Sequence, residues 1–153
     1  MIVFIKDVEI GAFDWSAKPE DQIINFWIKG ELQSGRVIRI FISLFEELLY
    51  EIKEYIDQKV NCLLYAEIST DFRSKNNGHN DFEGTYLGEY EITPEWLNYL
   101  KYPRTNGYCG FQTEDGILMI WCDKYKKFHF VKNKTYKFNV KEFGLRAWYP
   151  MED

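Results

Sequence analysis

His79, Asp81 and Glu83 fall within five residues of one another, in a stretch rich in Asn and Gly. An imidazole that titrates near neutrality beside two carboxylates has the parts for general acid and base catalysis. A small enzyme with this sequence would keep its site in the polar loop 71–83. Cys109, next to Gly110, offers a second pairing, a thiol nucleophile with His129 as its base. Neither set has the partners at fixed spacing that such chemistry needs. The chain has no GxSxG, no P-loop and no GxGxxG, so serine-hydrolase and nucleotide-dependent reactions lack their usual sequence support. The balance of these residues favours a non-catalytic chain.

Metal and cofactor binding are read the same way. The two histidines, His79 and His129, stand 50 residues apart, with no CxxC or HxxxH pair. The stretch from Asp71 to Glu83 departs from a calcium loop, with Arg73 at its third position and Asn76 where glycine is required. The sequence therefore predicts neither metal nor cofactor.

Recognition chemistry is better represented. Residues 124–141 carry seven lysines and no acid, which leaves −12 on the remainder of a chain whose net charge is −5. Charge sorted in this way suits a charged partner. Lys124, Lys126, Lys127, Lys132 and Lys134 alternate with Tyr125, Phe128, Phe130 and Tyr136. That interleaving fits single-stranded nucleic acid, with phosphates on the bases and nucleobases on the rings. It also fits a half-buried hairpin, and the absence of arginine weakens base-specific readout. A second patch gathers Glu46, Glu47, Tyr50, Glu51, Glu54 and Asp57 on one arc of a helical pattern, acids around an aromatic that would anchor a basic protein.

Ile2 to Ile10 reads as a strand. Gln22 to Leu32 and Arg36 to Ile42 read as a hairpin about Ser34 and Gly35. Ser43 with Glu46 forms a capping-box pattern, and apolar residues at three- and four-residue intervals predict an amphipathic helix over about 43–58. Strands are expected at Asn61–Ser69, Thr85–Ile92, Gly107–Gln112, Gly116–Cys122, Lys127–Lys132 and Thr135–Lys141, the last four as an antiparallel meander. Pro94 after Thr93 predicts a short helix over about 94–101. The fold expected is α+β, one domain over 1–153, with a mostly antiparallel sheet and the long helix packed on it.

Cys62, Cys109 and Cys122 are an odd number at wide spacing, and Cys62 and Cys122 sit in apolar runs. They read as free thiols of a cytoplasmic protein. The apolar start is too short for a signal peptide, and no run reaches the length of a membrane helix. Taken together, the residues point to a cytoplasmic protein that works by stoichiometric contact with a basic protein. The partner expected is a bacterial toxin or nuclease neutralised by an inhibitor or immunity protein, and a phage-encoded inhibitor of host defence would share the same letters. A small enzyme and a single-strand binder are the two alternatives.

Overall fold

Strict alternation of buried and half-exposed residues along Asn25–Leu32, with Phe26, Ile28 and Leu32 inward, shows why this chain builds sheet. The computed structural model describes residues 1–12, 14–19, 25–43, 46–69, 81–100 and 104–151, and of Glu46 and Glu47 the backbone alone. In chain order the elements are β1 (Ile2–Ile10), β2 (Asn25–Leu32), β3 (Val37–Ser43), α1 (Glu46–Lys53), β4 (Lys59–Ile68) and β5 (Asp81–Tyr90). A 3-10 helix (Pro94–Tyr99), β6 (Tyr108–Thr113), β7 (Gly116–Trp121), α2 (Cys122–Tyr125) and β8 (Thr135–Pro150) follow.

The eight strands form one mixed sheet in the order β1-β2-β3-β8-β4-β7-β6-β5, with additional pairings of β1 to β4 and of β8 to β5. Those two pairings close the sheet twice. One ring runs β1-β2-β3-β8-β4, the other β8-β4-β7-β6-β5, and β4 and β8 belong to both. Most pairs are antiparallel, while β3–β8 and β4–β7 are parallel. Val3, Ile28, Ile40 and Leu64 from the first ring join Phe82, Phe111, Leu118 and Phe138 from the second in one buried cluster. A second cluster, with Leu63, Tyr108, Met119 and Ala147, lies under Trp96 of the 3-10 helix.

This architecture overturns the α+β fold with a long helix over 43–58. The helix is the eight residues of α1. Beyond Lys53 the chain tightens into i to i+3 turns, Glu54 N–H to Glu51 and Tyr55 N–H to Ile52. Asp57 then takes a left-handed φ of 67°. Asp57 N–H donates to the Ile5 carbonyl at 2.8 Å, and Ile5 N–H donates to Gln58 at 2.9 Å. Pairing with β1 thus competes with the helical ladder and ends it, while Tyr55 and Ile56 still pack on the core. The second helix is a 3-10 helix ending at Tyr99, and residues 101–103 lie outside the described set.

The terminal meander is also replaced. Residues 127–132 form no strand; α2 runs into a 3-10 turn at Lys126–Phe128, and His129 and Asn133 have left-handed φ of 50° and 69°. β8 then runs sixteen residues and pairs with β5, β4 and β3 rather than with β7. Cys109 of β6 and Cys122, the first residue of α2, are joined by a disulfide, their Cα atoms 5.3 Å apart, which corrects the reading of free thiols there. Cys62 is the buried free cysteine, and burial pushes its thiol up to about 12. Among the described residues no helix is long and apolar enough to cross a membrane.

Candidate functional site

α1 has its apolar side, Leu48, Leu49 and Ile52, in the core and turns Tyr50 outward, 59% exposed. Glu51 of α1 and Glu54 and Asp57 in the turns that follow it are exposed too. Glu46 and Glu47 belong to the first turn of α1, and their side chains lie outside the described set.

Next to this patch opens a cavity of about 500 Å3, lined by Leu48 and Glu51 of α1, Phe41 of β3, Tyr65 of β4, Tyr99, and Arg146 and Trp148 of β8. Its floor depends on a glycine. Tyr65 stands opposite Gly144 in the β4–β8 register, and its ring lies where a Cβ at 144 would fall. Any side chain there must displace the ring.

Arg146 reaches the wall through a bulge. Leu64 pairs with Leu145 and Leu63 with Ala147, so Arg146 is the extra residue of β8. Bulges re-aim side chains in this way. Its side chain is buried, the residue 8% exposed, and Nη2 donates to the Arg104 carbonyl at 2.9 Å. Arg146 and Arg104 flank Tyr108, whose phenol is held above its ordinary range by burial, with the two cations pulling it back. Glu142, on the same rim, is also raised, first by desolvation and then by Glu67, against Lys124. The cavity therefore has aromatic walls and fixed charges of both signs, suited to an amphipathic side chain from a partner.

The lysine-rich segment is not a hairpin with an aromatic face. Lys124 pairs with Glu67 at 2.8 Å, which raises the lysine and lowers the carboxylate. Lys126 and Lys127 lie in the 3-10 turn, and Lys132 and Lys134 are exposed in the loop before β8. Phe128, Phe130 and Tyr136 pack against the core, where Phe130 meets Phe111 at 5.3 Å and Tyr136 at 4.9 Å. The lysines are thus at the surface, and Lys127 and Lys134 each lie 5.5 Å from a ring, Phe128 and Tyr136, whose other side packs on the core.

His79 and the rest of 70–80 lie outside the described residues. Asp81 and Glu83 sit on β5 rather than in a loop, opposite Asn139 and Lys137 of β8, and Asp81 accepts from Asn139 Nδ2 at 2.9 Å. Cys109 is buried in its disulfide while His129 is exposed, so no thiol and base pair forms. Among the described residues no three His, Cys, Asp or Glu side chains converge as a metal site would require.

Sequence reasoning missed the cavity. Its lining comes from positions as far apart as Phe41 and Trp148, and the only visible signal was the surplus of rings, 18% of the chain.

No family model and no curated protein sequence matches this chain. Among solved structures, the cytoplasmic molybdate-binding protein ModG, crystallised with molybdate bound, is similar over 95% of this chain and 93% of that one. The identity is 11% and the TM-score 0.45, a likeness that assigns nothing to this chain.

Proposed function

We propose that the chain is a non-catalytic binding protein that neutralises a basic protein, of the toxin or nuclease class, by stoichiometric contact. The observation that carries this reading is Tyr50, 59% exposed on α1 next to Glu51, which itself lines the aromatic cavity. An exposed aromatic ringed by acid next to a concave apolar site has the composition of an interface centre with a charged rim. Acids steer a basic partner to the surface, and Tyr50 with the walls of the cavity supplies the buried contact. Action in the cytoplasm belongs to the same reading.

The test compares the wild-type chain with Tyr50→Ala/Glu51→Lys/Glu54→Lys as tagged bait in lysate treated with nuclease. A basic protein recovered near one to one by the wild type should bind the variant at least about 30-fold more weakly, the effect of losing a central aromatic and reversing its rim. Equal recovery by a variant that keeps the wild-type circular dichroism would remove α1 from the interface and overturn the proposal.

A further inference from the structure

We infer that the outer face of β1, β2 and β3 is a binding groove for single-stranded nucleic acid, independent of the acidic patch on α1. The groove, about 880 Å3, is lined by Lys6 of β1, Lys29 of β2, Arg36 and Arg39 at β3, and Lys141 of β8, with Trp27 among them. Against these five bases stand Glu9 and Glu142 in the lining and Glu31 bonded to Lys6, so the groove carries +2 in a chain of −5.

Two of its bases arrive by the same device. Ile5 pairs with Gly30 and Asp7 with Lys29, which makes Lys6 the extra residue of a bulge in β1. Glu67 pairs with Glu142 and Ile68 with Val140, which makes Lys141 the extra residue of a bulge in β8. Each bulge interrupts alternation and re-aims a lysine, and both lysines line the one groove. Lys29 and Arg39 are direct partners across β2 and β3. Like charges in that position weaken a sheet, so stability alone does not account for them.

The rings decide what anion fits. Trp27 is the aromatic platform of the groove; the Arg39 guanidinium lies 5.0 Å from its ring, and its cross-strand partner Phe41, 5.4 Å away, belongs to the cavity beside α1. Nucleobases stack on such a platform while phosphates meet Lys29 and Lys141; an acidic peptide would use the charges and leave the rings idle. Lys6 and Arg39 are now held by Glu31 at 3.0 Å and Glu9 at 2.5 Å. Exposed pairs of this kind are weak enough for a phosphate to displace the carboxylate.

The probe is a fluorescein-labelled twelve-residue oligothymidine, read by anisotropy at 20 to 300 mM NaCl. Binding is expected to weaken with salt at a log-log slope of about −2 to −3, as three or four phosphates neutralised on a single strand require. Lys29→Gln/Lys141→Gln, which removes a half-buried and an exposed charge, should bind at least 10-fold more weakly at unchanged circular dichroism, and Trp27→Phe should bind more tightly than Trp27→Leu. Glu142→Gln should bind at least as tightly as the wild type, and Tyr50→Ala should leave binding unchanged. Lack of binding at 20 mM NaCl overturns the inference. So does loss that follows Lys126→Gln/Lys134→Gln instead, which would put the strand on the 124–134 segment. Polyglutamate competing as well as oligothymidine, with Trp27 immaterial, would make the face a site for acidic polymers and not for nucleic acid.

Discussion

Tyr108 shows what a single residue contributes here and at what cost. Its ring is buried on β6 and packs on Trp121 at 4.4 Å, but its hydroxyl has no hydrogen-bond partner among the described residues. An unpartnered buried hydroxyl costs about 1–3 kcal/mol, whereas the ring is worth its area and its aromatic contacts. Tyr108→Phe should therefore leave stability unchanged or raise it by up to about 1 kcal/mol in urea melts; a loss of more than about 1 kcal/mol would mean that the hydroxyl is bonded. A pH dependence accompanies it. Burial holds the phenols of Tyr86, Tyr90, Tyr108 and Tyr125 above their ordinary value. An acid raised in the folded state binds its proton more tightly there than in the unfolded chain, so the stability the phenols contribute is intact below pH about 10 and falls as pH rises past it, on top of the fall that the raised Cys62 thiol begins at lower pH. Removing the Tyr108 hydroxyl should make that alkaline fall shallower, since one of its contributors is gone.

Between elements, the decisive contact joins two turns. Asp115, buried in the β6–β7 turn, accepts from Ser34 N–H at 2.8 Å and from Ser34 Oγ at 2.7 Å, and so ties the β2–β3 turn of one ring to the other ring. Thr113 Oγ1 holds the same turn by donating to Gly116 at 2.8 Å. Asp115→Ala leaves two donors of Ser34 without their acceptor and should cost about 2–3 kcal/mol, the range for hydrogen bonds to a charged group. Asp115→Asn keeps one acceptor and should lose less; equal melting of all three proteins would show that the clamp does nothing. The strands were legible in the sequence because period-two alternation is local, as in Val37–Ser43. The end of α1 was not, because Asp57 leaves the helix to pair with Ile5, fifty-two residues earlier, and no local pattern records that choice. The same holds for Lys127–Lys132, where four alternating letters fit a pair of tight turns as well as a strand. For the candidate site, the acids of α1 could be read directly, but the cavity beside them could not. Arg146 was hidden by a bulge that exists only once β8 is registered on β4.

The two closed rings share β4 and β8, and this sharing governs how the whole molecule can come apart. Opening the first ring frees one edge of β4 or β8, and those strands also support Phe82, Phe111 and Phe138 of the second. Arg36, which enters β3, donates to the Asp81 carbonyl and lies 4.2 Å from the Phe82 ring, a further tie across the rings. Because one buried cluster runs through both, neither ring keeps its apolar surface dry without the other. Cooperative, all-or-none unfolding is therefore expected. Hydrogen exchange followed by mass spectrometry reads this directly. Amides of β2 and β3 and amides of β6 and β7 should share one opening free energy, equal to that from urea melts. The Asp115→Ala variant should lower all four strands together. If β5, β6 and β7 instead opened several kcal/mol below β1, β2 and β3, the second ring would be a separable unit hung on β4 and β8. The shared core would then be a contact between two bodies and not a single interior.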